Sequence, residues 1–474
     1  MKQILIIAAI LISLFGNAQK TIIDEKFVDG ENPVGYRLKK NTLYISKGEQ
    51  VKMRSISKII KVESYAANGD KKRLFEGESF RYFFPSYQID DLFMGVEYSV
   101  NGIADIKYFV KGTPISIKEE EFRKDRNVKD INGFLNFTDK YLFALTNQNS
   151  KKKIDFSKDD LYLETMDIKS KSISRNKLEK PDISRLKGAN FIQPKHNIGF
   201  EFRIKKDNTV EMITKSISND YKSSVLYRTF YNQQGKKISE TSYKIEIPDY
   251  FLVYSNNTGG EVDFMSKTEP FQDDSSIHNF IENDNGDIYV YGLFSKESVK
   301  LNDRINAAGY YVFKFDKKGA QVWKSINVID DNKGFNNNHY PVNTKVDVLR
   351  LNKKLLFKSD INDNDEFIQY AILDETTGKI LNSNKIVYHQ EMNKNLYNQF
   401  IVSAMEIPSI KEDRNFNVNA IVAFDMNKEV ENYIRSVKSK KDIQFEAIFS
   451  EAGIWLIETD NKEYYKVFLF EDKI

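Results

Sequence analysis

The stretch that decides the fold reads Asp284-Asn285-Gly286-Asp287-Ile288-Tyr289-Val290-Tyr291-Gly292-Leu293-Phe294. It resumes at Gly309-Tyr310-Tyr311-Val312-Phe313-Lys314-Phe315-Asp316, with Gly319 and Trp323 just beyond. Each half is a short run of β-branched and aromatic residues bounded by a polar turn, which is the grammar of strands. Within 288–294, Ile288, Val290 and Phe294 point to one face and Tyr289, Tyr291 and Leu293 to the other. Both faces are apolar, so this strand is expected to lie between two covering layers. In 311–315, Tyr311, Phe313 and Phe315 alternate with Val312 and Lys314, a second strand.

Working outward, the same unit recurs as an apolar run, a turn closing on Gly, and a second run that opens with Lys or a small residue. One copy is 227–231, Asn232-Gln233-Gln234-Gly235, then Lys236-Lys237-Ile238. Another is 313–315, Asp316-Lys317-Lys318-Gly319, then Ala320-Gln321-Val322. A third, one residue longer, is 371–373, the turn 374–378, then Lys379-Ile380-Leu381. Asp or Asn starts a type I turn, and Gly accepts the left-handed conformation that closes the hairpin. Weaker copies surround Gly69 and Asp425. Further strand pairs are expected at 134–144, 346–357 and 445–457, giving about four strands per period and about seven units over the chain, with six or eight fitting the same length. Helical periodicity is scarce: 119–130 and 427–439 could carry short helices, but their apolar positions are too sparse for a buried stripe. The Lys-, Arg- and Ser-rich 170–185 reads as a linker between units and 336–339 as a surface loop. The final run, 464–474, reads as a closing strand that would pair near the N-terminus, for instance with 43–45.

Radial repetition of four-stranded sheets is one of few ways for so long an all-β chain to hide its edges. The fold expected is therefore a β-propeller of about seven four-stranded blades; tandem β-sandwiches fit the same strand pattern. The segment from Asp284 to Trp323 also resembles the blade repeat of secreted bacterial β-propeller proteins, in which an Asp/Gly turn leads into a Tyr-Val-x-Gly strand, then a Phe-Val-x-Lys strand, then an Asp-x-x-Gly turn followed by Trp. Elsewhere the likeness thins to the hairpin fragments. What it implies is a fold, and a fold hosts many functions.

The N-terminus carries the three parts of a secretory signal peptide in order: Lys2, an apolar core over 4–15 broken only by Ser13, and the small residues Gly16-Asn17-Ala18. Residues 1–18 are thus expected to be removed, leaving 19–474 as a single propeller domain with no membrane insertion. The 474-residue chain has no cysteine, which excludes disulfides, thiol catalysis, Cys-ligated zinc and a lipidated N-terminal Cys. A periplasmic or extracellular address follows as an expectation, not that of a lipoprotein. With 71 basic and 68 acidic residues the net charge is +3, which speaks against a nucleic-acid partner. Aromatics at 13%, as 34 Phe and 26 Tyr, speak against disorder.

Catalytic writing is nearly absent: there is no His-Glu-x-x-His, no Gly-x-Ser-x-Gly and no phosphate-binding glycine loop. Ser55-Ile56-Ser57-Lys58 matches Ser-x-x-Lys without the partner motifs. His196, His278, His339 and His389 lie far apart with no ligand spacing. The acidic clusters 283–287 and 362–366 have the composition of calcium loops, but a calcium loop needs a closing bidentate carboxylate at fixed spacing, and a hairpin turn explains both. No catalytic, cofactor-binding or metal-binding residue is assigned, and no cofactor is expected. Two classes stay open. One is a monomeric, non-catalytic binding or scaffold module for a glycan, a peptide or an envelope protein. The other is a propeller hydrolase or lyase acting on an extracellular polymer. The first predicts a shallow surface rimmed by aromatics, the second a deep pocket holding two close carboxylates or a His with an acid.

Overall fold

The computed structural model describes residues 19–471 except 29–30, 52–55, 81, 86–91, 99–103, 111–112, 119–134, 139, 149–157, 183, 185–199, 206, 254, 257–274, 277, 297–304, 330–334, 338–343, 362–366, 388, 392–403, 407–414, 438–442 and 461–462. The fold is an all-β β-propeller. Among the described residues, six four-stranded meanders follow one another in sequence order. Blade 1 comprises Asn32–Lys39, Thr42–Val51, Ile56–Ala66 and Lys71–Phe80, and blade 2 Tyr82–Pro85, Leu92–Tyr98, Ala104–Val110 and Thr113–Lys118. Blade 3 comprises Leu135–Phe137, Tyr141–Asn147, Leu161–Asp167 and Ile173–Lys177, and blade 4 Phe200–Ile204, Val210–Ile217, Ser223–Tyr231 and Lys237–Glu246. Blade 5 comprises His278–Glu282, Ile288–Ser295, Gly309–Phe315 and Gln321–Val328, and blade 6 Thr344–Leu351, Lys354–Ile361, Phe367–Asp374 and Ile380–Val387. Six contiguous blades thus replace the expected seven. Besides short strand pairs and additions to the edges of blades 5 and 6, there is a composite terminal sheet in the order Gln19–Lys26, Tyr464–Phe470, Gly453–Thr459, Gln444–Ser450, Asn415–Phe416, drawn from both ends of the chain.

The described residues group into two compact units, one within Met1–Glu78, Arg350–Lys354 and Ile386–Ile474, the other within Ser79–Leu349 and Leu355–Lys385. In each, the apolar core lies between successive sheets. In the first unit Ile23, Trp455, Ile457, Tyr465 and Val467 of the terminal sheet pack with Leu43, Ile45 and Tyr65 of blade 1. In the second, Tyr289, Tyr291 and Tyr310 of blade 5 pack with Val346, Leu355 and Phe357 of blade 6, and the Tyr310 and Phe357 rings stack at 3.8 Å. This explains why all eight residues of Ile288–Ser295 are buried: a blade between two blades has no wet face. The aromatics give each layer a large apolar area at little loss of side-chain freedom.

The hairpin glycines have a second role. Gly319 and Gly378 adopt φ of 90° and 70°, and Asp316 and Asp374 accept the amides of their turns through Oδ1. A Cβ on Gly319 would stand 2.4 Å from the carbonyl oxygen of Ser242 on the outer strand of blade 4. One on Gly378 would stand 2.4 Å from the Trp323 ring on the outer strand of blade 5. Glycine is required here because the turn of one blade rests directly on its predecessor. At the blade 3–4 junction the same contact is made by hydrogen bonds, Glu179 N to the Gly235 carbonyl at 2.9 Å and Asn176 Nδ2 to the Gln233 carbonyl at 3.1 Å.

Several expectations are corrected. The closing strand pairs with Gln19–Lys26, from Gln19 opposite Phe470 to Lys26 opposite Tyr464, while 43–45 lies inside blade 1 between its own neighbours. The expected linker holds Ile173–Lys177, the outer strand of blade 3; its composition is polar because most of its side chains meet water. Asn336 and Asn337 belong to the short strand Phe335–Asn337, which pairs with Ile305–Ala307. Asp425, itself exposed, sits in helix α1 (Val418–Met426), six of whose nine residues are buried; periodicity alone does not separate so short an apolar run from a buried strand. Helix α2 (Lys428–Ser436) follows, buried only at Val430 and Ile434. Asn427 joins the two helices and caps α2, accepting the amides of Glu429 and Val430. The Tyr433 ring packs on Phe468 at 4.5 Å, so α2 covers part of the terminal sheet. The possible helix at 119–130 lies outside the described residues.

Candidate functional site

Two clusters of buried charge stand out, one in each unit. In the first, Glu25 of the N-terminal strand reaches blade 1. It accepts from Lys47 Nζ at 2.8 Å, Lys71 Nζ at 3.0 Å and the Tyr65 hydroxyl at 3.3 Å, and from the Tyr465 hydroxyl of its own sheet. Glu63, wholly buried, shares the same two lysines at 2.7 and 3.2 Å and accepts from Tyr65 at 2.8 Å. Burial alone would raise both carboxyls, but the ammonium groups and phenols outweigh it, holding Glu25 down at about 2 and Glu63 below its ordinary value. Burial first, then the neighbouring carboxylates, push the Tyr65 and Tyr465 hydroxyls upward, so both remain donors.

The second cluster joins blade 4 to blade 5. Glu211, fully buried, pairs with Arg228 through the guanidinium Nε and with Lys205 Nζ at 3.3 Å. Arg228 Nη2 and Lys205 Nζ also reach Glu282 of blade 5, at 2.7 and 2.8 Å. Arg203 lies over the Phe280 ring at 4.8 Å. Here too burial pushes the Glu211 carboxyl up and the cations, Arg228 foremost, bring it down to about 2. Both clusters therefore contain two close carboxylates, the pair a hydrolase would show. Both are charge-paired, however, and none of the three lowered carboxyls, Glu25, Glu63 and Glu211, holds a proton to donate near neutrality.

Sequence reasoning found neither cluster. Its signal was present as charged residues alternating inside strong strands, such as Lys61, Glu63 and Tyr65, but that pattern also describes a wet face. Of the residues it did weigh, His278 lies in His278–Glu282 and His389 in the short strand His389–Glu391, while His196 and His339 lie outside the described residues. Ser55 is also outside, and Lys58 lies in strand Ile56–Ala66. The acidic run 283–287 is a hairpin turn in which Asn283 Oδ1 accepts the amides of Asn285 and Asp287 at 3.0 and 2.9 Å; 362–366 lies outside. Among the described residues no group of three or more His, Cys, Asp or Glu could hold a metal, and no helix is long and apolar enough to cross a membrane. The aromatic rim expected of a binding surface is not met there either. The large apolar side chains exposed among the described residues are aliphatic, Val28, Ile238, Val322, Val328, Ile380 and Leu381, and the largest fully buried ones are Trp455 and tyrosines.

Two raised carboxyls stand apart. Burial pushes up Asp347 of blade 6, against the pull of Lys358 at 3.6 Å, and Glu446 of the terminal sheet.

No family model matches the chain, and no curated protein does. Among solved structures it is similar to the β-propeller domain of the Trilobed protease from Pyrococcus furiosus, with TM-score 0.36 and 9% identity over 94% of this chain and 95% of that one. It is also similar to the acylaminoacyl peptidase of Pyrococcus horikoshii, with TM-score 0.34 and 9% identity over 91% of this chain and 50% of that one. A third similarity is to the polysaccharide lyase Uly1, with TM-score 0.27 and 8% identity over 93% and 90%. Likenesses this distant speak of neither substrate nor partner. The class defined on the chain's own topology is a β-propeller whose prominent charge clusters join its sheets.

Proposed function

We propose that this protein is an exported, non-catalytic binding or scaffold module. In this reading residues 1–18 are a cleaved leader and 19–474 a single propeller domain, free in the periplasm or outside the cell, monomeric, with a glycan, a peptide or an envelope protein as ligand. The observation that carries it is the use made of the buried charges: Glu25, Glu63, Glu211 and Glu282 are each paired with cations, and two of them, Glu25 and Glu282, tie one sheet to the next. Acids so committed hold a scaffold rigid and do not shuttle protons. Stiff blades carrying variable loops suit recognition. The hydrolase or lyase reading has Asp347 in its favour, a buried carboxyl whose raised affinity for protons is the property of a general acid.

Two measurements test the proposal. Mass spectrometry of the protein recovered from the periplasm or medium should find Gln19 as the first residue; an uncleaved chain retained in the cytoplasm would refute export. The purified protein, titrated against panels of bacterial and plant glycans and of peptides, should bind a member saturably and return it unaltered. Release of new reducing ends, unsaturated sugars or peptide fragments would replace this reading with the enzymatic one.

A further inference from the structure

The N-terminal strand Gln19–Lys26 is attached in an unusual way. Among the described residues it forms the edge of the terminal sheet, paired only with Tyr464–Phe470. Its side chains are hardly covered: Ile23 is its single fully buried residue, with Ile22 and Phe27 partly so, whereas five of the seven residues of Tyr464–Phe470 are buried. With residues 1–18 removed, as the proposed function has it, this strand is a chain end, and one with so little apolar burial opens more readily than the sheet it joins. Yet its address is specific. Glu25, two residues beyond Ile23, is met by four donors, and all four, Lys47, Lys71, Tyr65 and Tyr465, belong to residues that stay behind when the strand leaves. Lys20 adds a hydrogen bond to the Ala67 carbonyl at 3.0 Å, and Asp24 lies 3.8 Å from Lys466.

A vacated slot would thus present an open strand edge along Tyr464–Phe470, an apolar socket for Ile23, and two ammonium groups shared with Glu63 alone. We propose that this slot is a strand-acceptor site and that at high concentration the monomer of the proposed function exchanges into it, in trans, the Gln19–Lys26 strand of a second copy of this chain. The complement is set by the strand itself: extended backbone, Ile and Glu two residues apart on one face, in register with the closing strand. Exchange of an identical element between copies needs no new surface, since every contact of the closed form is remade in the swapped one.

The absence of cysteine makes the test direct. Asp24 and Lys466 are register partners with solvent-reached side chains, so Asp24→Cys and Lys466→Cys placed in one chain should close an intrachain disulfide under mild oxidation. Placed in separate chains and mixed at high concentration, they should give a disulfide-linked dimer joining residues 24 and 466, several-fold above the homodimers formed by either variant alone. A synthetic peptide of residues 19–27 carrying Cys at 24 should likewise label the Lys466→Cys protein. The same peptide with Glu25→Gln, competing against the resident strand without its anchor, should label it several-fold less. Mixed dimers no more abundant than homodimers, or equal labelling by both peptides, would overturn the proposal. Failure of the double variant to close internally would overturn it as well, because the strand pairing on which it rests would be wrong.

Discussion

The charge cluster of the terminal sheet and that of blade 4 use the same chemistry in different surroundings. Glu25 and Glu211 are both held as anions near 2. Glu25 achieves this while 32% exposed, by collecting four donors from two sheets. Glu211 does so with no exposure at all, mainly through one buried guanidinium. The difference lies in what happens when a partner is taken away. Water can enter beside Glu25 and share the loss; it cannot reach Glu211, where an unpaired charge would keep its full desolvation penalty. The first arrangement suits a strand that comes and goes, the second a joint between fixed blades.

The sharpest way to break this contrast is Arg228→Ala. It takes the closest counter-ion from Glu211, leaving Lys205 at 3.3 Å to serve both that acid and Glu282, and is expected to destabilise the fold by up to about 3–5 kcal/mol in chemical denaturation; a loss below about 1 kcal/mol would show that water does reach Glu211. Glu25→Gln should be milder, about 1–3 kcal/mol at neutral pH for a set of charge-assisted hydrogen bonds, and should change the acid limb. Because the folded-state value of Glu25 is depressed from 4.5 to about 2, its stabilisation is present above about 4.5 and fades as the pH falls toward 2. The gap between variant and parent should therefore narrow over that window, and a constant gap would remove the carboxylate from the account. Lys71→Ala should have the smallest effect, since Lys71 is 43% exposed and Lys47 remains between the two acids. A loss within about 1 kcal/mol is expected, and it should shrink further in high salt.

Particular residues show how far the sequence could be read. The doubly apolar run of Ile288–Ser295 required cover on both sides and has it. The turns closing at Gly235, Gly319 and Gly378 were legible because a left-handed residue after Asn or Asp leaves little choice of chain path. Lys61, Glu63 and Tyr65 were not legible as core. Alternation says that they share a face of Ile56–Ala66, and only the adjoining sheet decides that this face is dry. Ile173–Lys177 failed in the opposite direction, an outer strand whose exposure makes it read like a loop. Helix α1 failed because a short apolar run, 420–424, followed by the polar Asp425 and Asn427 reads equally as a strand and its turn.

By itself, then, the sequence determined the prevalence of strands, the positions of the Gly-closed hairpins and the repetition, all of which depend on local backbone preference and on which residues shun water. The tertiary structure decided the number of contiguous blades, the choice of Gln19–Lys26 as partner of the closing strand, and the conversion of polar strand faces into ionic joints. Those outcomes depend on which surfaces meet across hundreds of residues, and a charge beside water and a charge beside its counter-ion are written with the same letter.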